Sequence, residues 1–316
     1  MSNSTQKLVA LVMLFFATVH LTAQSNRNID GSGNNLNHPE WGAAHTPMKR
    51  LLSAAYSDGI SRMNGENRPN PRDISNSLFW QNSGITGTLQ LNDFVWAFGQ
   101  FIDHDLTLNP DGDEPAMIEI PPGDPFFDPQ FRGNVQMPMR RTAPVEGTGT
   151  NTNNPRNNFN EITAFLDGSA VYGSDTERAN WLRTFSGGKL KVSAGNLMPY
   201  NTVNRERNAT IAPNAPHMEN PVGLTDRLFV AGDVRANENP LLMALHTLFV
   251  REHNRITDEL AVSFPTWNDE RLYQYARKIV GGIIQSITYN EWLPVMGIRL
   301  PAYTGYKSNA DPSISH

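Results

Sequence analysis

The sequence predicts one large, mainly α-helical domain with long irregular loops. Three segments combine a helical spacing of apolar residues with an N-terminal capping signal, and they lie at 92–106, 240–261 and 268–295. The chain has 24 glycines and 22 prolines among 316 residues, which indicates many connecting loops. Strand alternation does not extend beyond short hairpins, so a sheet-based fold is not expected.

The N-terminal part of the chain predicts one short and one long helix. An Asn- and Gly-rich arm at 24–40 precedes a short helix expected over 47–55, and the stretch 64–76 is polar and Pro-rich. The first long helix runs from Asn92 to Leu106, with Asn92 as its N-cap. Its broad apolar face consists of Phe94, Ala97, Phe98, Phe101 and Ile102.

The remaining helices follow a long loop. Residues 107–160 are rich in Pro, Gly and Asn, and a loop of this length inside a compact domain is usually functional or disordered. The second long helix begins at Pro240, with Asn239 as N-cap, and extends to about Ala261. The third covers 268–295 and is expected to break near Gly281 and Gly282.

The first 23 residues resemble a signal peptide. Lys7 supplies a positive charge, residues 8–21 are almost entirely apolar, and Ala23 is a small residue suited to signal peptidase. The apolar run is too short for a confident membrane span. We therefore expect export to the periplasm or the extracellular space, with a mature domain at 24–316 that begins near Gln24 or Ser25.

Composition excludes several classes of site. The chain has no cysteine, so it contains no disulfide, thiolate-ligated haem, iron–sulfur cluster or zinc–thiolate site of its own. The net charge of −5 gives no electrostatic reason to expect a nucleic-acid partner.

The first chemical cluster lies on the helix predicted at 92–106. Gln100, Asp103 and His104 are spaced at i, i+3 and i+4, so they share one helix face. Asp105 lies about 100° further round the helix and must serve another neighbour. The alternative interpretation of this cluster is a solvated helix end.

A second cluster offers oxygen ligands. Thr163, Phe165, Asp167 and Ser169 alternate along a loop and present two hydroxyls, a backbone carbonyl and a carboxylate. These are donors that calcium prefers, and Asp105 could complete such a site. The alternative is an ordinary turn.

A third cluster begins just before the helix at 240–261. Arg235 and Glu238 precede its cap and could form a surface ion pair. His246 and His253 lie on one face of the helix that follows, either as metal ligands or, more commonly, as core histidines.

These clusters together resemble the animal haem peroxidase family. The similarity extends from about residue 28 to the end of the chain and rests on several motifs in the family's order. They are Ile29–Asn35, Arg68–Arg72, Gly99–Leu106, Val171–Ser174 and Leu245–Arg255.

The resemblance assigns a role to each candidate residue. It implies His104 as the distal histidine, Gln100 as its hydrogen-bonding neighbour and Arg235 as the distal arginine. Asp103 and Glu238 match carboxylates that form ester links to haem b. The implied calcium ligands are Asp105, Thr163, the Phe165 carbonyl, Asp167 and Ser169. The implied activity reduces hydrogen peroxide and oxidises halide, thiocyanate or phenolic substrates, with a role in the response to oxidative stress.

The sequence departs from the family pattern at two places. Asn239 stands where some members have a methionine that links to the haem, so no sulfonium link is expected. The family's proximal histidine lies on a later helix, and we do not assign that role to His316. We therefore expect 24–316 to be the distal part of an incomplete domain.

Three alternatives to a haem peroxidase remain open from the sequence. A cyclooxygenase-like fatty acid dioxygenase would share the distal site, although the calcium loop favours the peroxidase. A metal-dependent hydrolase could use His104 and Asp105 together with His246 and His253. An exported calcium-binding or matrix domain could have the same loop without catalytic activity.

Overall fold

A computed structural model describes residues 26–65, 67–221 and 223–314. The predicted signal peptide and His316 lie outside the described residues. The predicted mainly α class is confirmed. The helices are α1 (Pro71–Leu78), α2 (Phe94–Leu106), α3 (Ser169–Tyr172), α4 (Thr176–Leu182), α5 (Pro240–Ser263), α6 (Asp269–Ile287) and α7 (Leu293–Val295).

The strands are short and form only hairpin-scale pairs in the described part of the chain. They are β1 (Thr46–Pro47), β2 (Asp111–Pro115), β3 (Ile118–Glu119), β4 (Gln136–Met137), β5 (Arg140–Thr142) and β6 (Phe159–Asn160). Three antiparallel two-stranded sheets join β1 to β6, β2 to β5 and β3 to β4. Thr46 pairs with Asn160, which ties the N-terminal arm to the loop before the second cluster.

The core lies where α2, α3, α5 and α6 meet. Phe101 of α2 stacks on Phe249 of α5, with ring centroids 5.0 Å apart. Tyr172 of α3 and Tyr273 of α6 pack edge to face at 6.0 Å. All four rings are at least 97% buried, and burial of each contributes about 1.5–3 kcal/mol. This packing fixes α2, which carries the first chemical cluster, relative to α5, which follows the third chemical cluster.

The helix predicted over 47–55 is wrong. The backbone N–H of Met48 donates to the Asn158 carbonyl at 2.9 Å, and that of Lys49 donates to Ser313. Because these donors bond to distant segments, the chain stays extended instead of forming local helical bonds. Met48 is buried, but Leu51 and Leu52 are exposed, so the segment buries no continuous helical face.

The break predicted at Gly281 and Gly282 is also wrong. Helix α6 runs unbroken through both glycines and is capped by the Asn268 side chain, which accepts from Arg271 N. A Cβ on Gly281 would lie 3.3 Å from the Asp167 carbonyl oxygen. This glycine therefore permits close packing of α6 against a loop. The irregularity comes later, as a π-helical turn at Thr288–Trp292.

Helix α1 begins within the polar, Pro-rich stretch 64–76, to which the sequence assigned no helix. Asn70 accepts hydrogen bonds from Arg72 N and Asp73 N, and Pro71 stands at the first helical position. Arg72 then forms a two-atom ion pair with the buried Asp124. No helix among the described residues is long and apolar enough to cross a membrane.

Candidate active site

Helix α2 presents three consecutive residues to three environments. Asp103 is exposed, His104 is 4% exposed, and Asp105 is fully buried. Successive helical side chains point about 100° apart, so adjacent residues reach different neighbours. The structure thus separates the His104 face from the Asp105 face, as the sequence predicts.

A glycine brings the third cluster against α3. A Cβ on Gly232 would lie 2.2 Å from the Ser169 carbonyl oxygen and 2.4 Å from Gly173 N, so no side chain fits there. The backbone N–H of Asp233 donates to the Ala170 carbonyl at 3.0 Å. This close docking places residues 233–238 beside His104.

His104 lies between two carboxylates. Its Nδ1 is 3.5 Å from Asp233 Oδ1, and its Nε2 is 4.0 Å from Glu238 Oε2. Burial lowers the pKa of His104 to about 4, against the opposing effect of Asp233. The imidazole is therefore neutral near pH 7 and able to accept a proton.

Arg235 is held by Asp233, which the sequence analysis did not single out. Asp233 accepts from Arg235 Nε at 2.9 Å and from Nη2 at 2.7 Å, and Nη2 also donates to the Thr107 carbonyl. Burial alone would raise the pKa of Asp233, but the bonds from Arg235 bring it below its ordinary value. The sequence did contain one indication of this role, because Asp233 lies two residues before Arg235 and is close enough for a local ion pair.

Gln100, Glu238 and Asn239 form a hydrogen-bonded chain on the more open side of His104. Gln100 Nε2 donates to Glu238, and Asn239 Nδ2 donates to Gln100 Oε1 at 2.8 Å. Asn239 also caps α5 by accepting from Leu242 N at 2.9 Å, as the sequence predicts. Burial raises the pKa of Glu238.

A cavity of about 570 Å³ adjoins Arg235 and Glu238. Acidic side chains on its walls outnumber basic ones. The acidic residues are Asp111, Glu161, Asp175, Glu219, Asp233 and Glu238, and the arginines are Arg178 and Arg235. Arg178 donates to the carbonyls of Ala231 and His217, so both arginines already have acceptors in the protein. The cavity is large enough for a small organic molecule.

The loop predicted to bind calcium folds around Asp105. Asp105 accepts from Gly168 N, Ala170 N and Ser169 Oγ at 2.8–3.2 Å. Asp167 accepts from Thr163 Oγ1 at 3.2 Å and from Ser169 N at 3.0 Å.

The Phe165 carbonyl is already engaged within the loop. It accepts from Asp167 N at 2.9 Å. Four of the five predicted calcium ligands thus share a hydrogen-bonded group, and the Phe165 carbonyl closes the same turn.

The donor set of this loop fits a bound cation. Burial raises the pKa of both Asp105 and Asp167. The Asp167 carboxylate raises that of Asp105 further, whereas Arg277 opposes the rise for Asp167. Asp167 Oδ2 is buried and has no hydrogen-bond partner among the described residues. Two buried carboxylates with an unsatisfied oxygen are costly unless a positive charge compensates them. The described residues contain no cluster of three or more His, Asp or Glu for a metal, so a site here combines two carboxylates with neutral oxygens.

The two histidines of α5 do not form a metal site with His104. His253 Nδ1 accepts from the Tyr172 hydroxyl at 2.9 Å, and its Nε2 donates to the Gly188 carbonyl at 2.8 Å. Both nitrogens of this histidine are therefore occupied. His246 is fully buried and packs edge-on against Phe101 at 5.1 Å. These are core histidines, which removes the support for a metal-dependent hydrolase.

The residues around His104 also fit a haem. Two carboxylates, the exposed Asp103 and the half-buried Glu238, interact electrostatically beside the imidazole. Such carboxylates can make ester links to a haem, and Gln100 holds Glu238 by a hydrogen bond.

The fold and this grouping of residues define a haem peroxidase domain. The sequence model of the family described as "Animal haem peroxidase" matches residues 26–316. Human dual oxidase 1 is 38% identical over 294 residues, and Drosophila melanogaster dual oxidase is 33% identical over 292. The chain belongs to the animal haem peroxidase family. The alignments cover 92% and 91% of this chain but only 19% of each dual oxidase.

Solved structures agree with this assignment. Peroxidase A from Dictyostelium discoideum superposes with a TM-score of 0.81 and 33% identity, covering 93% of this chain and 57% of that one. A fatty acid alpha-dioxygenase from Arabidopsis thaliana superposes with a TM-score of 0.66 at 22% identity, covering 86% of this chain and 37% of that one. The second likeness shows the shared fold alone.

Proposed function

We propose that this chain is the distal part of an exported haem peroxidase that reduces hydrogen peroxide and contains calcium. The observation that carries the proposal is the buried, neutral His104 beside the Arg235–Asp233 pair. A buried base and a fixed cation next to each other are what cleavage of an O–O bond requires. The family membership supports haem as the cofactor.

His104 and Arg235 divide the work on peroxide. Nε2 of His104 accepts a proton from one peroxide oxygen and returns it to the oxygen that leaves, so one group serves as base and then as acid. The Arg235 guanidinium stabilises negative charge on the leaving oxygen. Gln100 fixes the position of Glu238 beside them. When bound, the haem would supply the two electrons that reduce peroxide and would regain them from a reducing substrate.

Asp103 and Glu238 hold the haem in this proposal. Asp103 precedes His104 in α2, and Glu238 Oε2 lies 4.0 Å from His104 Nε2, so both carboxylates are near the proposed base and would form the ester links. The third link known in some members is not expected, because Asn239 has no thioether sulfur. Its side chain instead caps α5 and bonds to Gln100.

Among the proposed substrates, the cavity favours neutral phenols over halide or thiocyanate. Its acidic side chains outnumber the arginines, and both arginines are already paired. An anion entering such a cavity meets unfavourable electrostatic potential, whereas a neutral ring does not. The kcat/KM for a phenol should exceed that for thiocyanate. The double variant Glu161→Gln and Glu219→Gln should raise kcat/KM for thiocyanate but not for the phenol. Equal effects on both substrates would refute this preference.

An absorbance spectrum tests the peroxidase proposal directly. The chain without residues 1–23 is mixed with haem and calcium, and the spectrum is recorded before and after hydrogen peroxide. We expect a Soret band that shifts when peroxide is added. In His104→Ala the rate of this shift should fall by a factor of about 10²–10⁴. His38→Ala, an exposed histidine, is the control.

Two outcomes would contradict the proposal. A chain with no Soret band does not hold haem, which favours a non-catalytic calcium-binding domain. A band that shifts equally well in His104→Ala removes the proposed base. The exported location is tested separately by N-terminal sequencing of the secreted product, which should begin near Gln24 or Ser25.

A further inference from the structure

The proposed calcium loop is covered by two segments that the site itself does not include. One is α6, and the other is the N-terminal strap, defined here as residues 26–31. Three α6 residues spaced four apart face the loop: Arg277, Gly281 and Gln285. Gly281 packs on the Asp167 carbonyl, and Gln285 Nε2 donates to the Leu166 carbonyl at 2.7 Å. The loop is therefore clamped along one face of α6.

Arg277 connects α6 to the strap. Its Nη1 donates to the Arg27 carbonyl at 2.9 Å and its Nη2 to the Asn28 carbonyl at 3.1 Å. Arg277 is only 6% exposed, although both strap residues are on the surface. Ile29 packs against the core, and a Cβ on Gly31 would meet the Thr163 methyl at 3.0 Å. The strap is thus fixed at three points, and its far end touches a proposed calcium ligand.

A small cavity lies between the strap, α6 and the loop. Its volume is about 20 Å³, which is enough for one water molecule, and Asp167 lines it together with Arg27, Arg277 and Lys278. The Asp167 oxygen without a hydrogen-bond partner is nearly fully buried. Asn26 and Arg27 of the strap also line this cavity, so the strap borders the space beside Asp167.

We propose that the strap is the lid of the calcium site and that Arg277 holds it closed. This inference rests on the proposed calcium site. Opening the lid breaks the two Arg277 hydrogen bonds, and calcium then enters or leaves beside Asp167. Arg277 is a positioning residue that sets the rate of calcium exchange. Because an open lid speeds entry as well as exit, the affinity changes less than the rates.

The experiment measures calcium release from the loaded full chain after mixing with a fluorescent chelator. Arg277→Lys keeps the positive charge but cannot donate to both carbonyls in the same geometry. We expect its dissociation rate to rise about tenfold, the effect of losing about one hydrogen bond to a charged group, with a smaller change in the dissociation constant. Arg251→Lys is the matched control, because Arg251 also donates to two carbonyls, of Asn196 and Gly195, away from the loop.

The alternative is that Arg277 acts through charge alone. In that case Arg277→Lys releases calcium as the wild type does, and Arg277→Met, which removes a repelling cation, releases it more slowly. Either result overturns the lid. Ile29→Ala removes the strap's apolar anchor without touching Arg277, and it should also speed release. If the wild-type chain binds no calcium, the calcium site fails and the lid with it. If calcium binds but neither Arg277→Lys nor Ile29→Ala changes its release, only the lid fails.

Discussion

Two neighbouring residues of α2, His104 and Asp105, lie in contrasting surroundings, one partly open and the other fully buried. His104 has carboxylates at 3.5 and 4.0 Å, and around it are half-buried groups, an exposed carboxylate and a large cavity. Asp105 is fully buried and accepts hydrogen bonds from three consecutive residues of one loop. The first region borders a cavity large enough for a small molecule, whereas the second closes tightly around one carboxylate. A single helix serves both because adjacent side chains diverge by about 100°.

The buried region around Asp105 also supports the region around His104. The loop fixes Asp105 in position, and through the helix backbone it fixes the adjacent His104. The proposed cation therefore supports the catalytic imidazole without touching it, as outer groups commonly do around a reactive site. Variants on either side of α2 should separate stability from activity.

The largest effect on stability is expected from Asp105→Asn compared with Asp103→Asn. With calcium present, Asp105→Asn should lower the free energy of unfolding by about 2–4 kcal/mol, because it removes a buried charge that pairs with the cation. In a chelator the difference should shrink, since the amide relieves one of two buried charges. Asp103→Asn on the exposed side should leave stability unchanged. Urea unfolding with and without calcium measures both, and a calcium-dependent stability that persists in Asp105→Asn would contradict the proposed site.

Asp233→Asn should lower the rate of reaction with peroxide about 10- to 100-fold, as loss of an orienting partner typically does. The amide cannot accept from two guanidinium nitrogens at once, so Arg235 loses its fixed position. Calcium binding should be unaffected. Stopped-flow absorbance on the haem-loaded chain measures the rate, with the exposed Asp226→Asn as control. An unchanged rate would show that Arg235 does not depend on Asp233.

The adjacent glycines of α6 offer a matched test of the packing against the calcium loop. Gly282 is exposed with open space around it, so Gly282→Ala should stabilise the chain by about 0.5–1 kcal/mol through helix propensity. Gly281→Ala has the same propensity gain, but its methyl meets the Asp167 carbonyl at 3.3 Å. We expect it to be less stable than Gly282→Ala and to weaken calcium binding. Equal stability in urea would mean that the loop shifts freely.

The last comparison lies far from both regions, at the Arg72–Asp124 pair. The hydrogen bond from Arg72 holds the pKa of Asp124 below its ordinary value of 3.8. An acid with a lowered folded pKa stabilises the fold above its unfolded pKa and loses that contribution as pH falls through the folded value. The stability gap between wild type and Asp124→Asn should therefore narrow as the pH falls below about 4, the unfolded pKa, and should go on narrowing toward the lower folded pKa. A gap that widens with acidification would contradict the ion pair.

The sequence determined the elements that depend on neighbouring residues. The helices at Phe94–Leu106 and Pro240–Ser263 follow from apolar spacing, and the latter from the Asn239 cap. The separation of His104 from Asp105 follows from helical geometry alone. Family motifs supplied candidate roles for both faces, and those roles stay predictions until the variants are measured.

Tertiary contacts decided the rest. Residues 47–55 are extended because the backbone N–H groups of Met48 and Lys49 donate to Asn158 and Ser313. Helix α6 continues through Gly281, which has no side chain and so lets the helix pack against the Asp167 carbonyl. Asp233 became a partner of His104 only when Gly232 allowed its segment to dock on α3. Arg277 bonds to carbonyls about 250 residues earlier, at Arg27 and Asn28. No local pattern encodes such pairings, because their free energy comes from burial and hydrogen bonds made between segments distant in the chain.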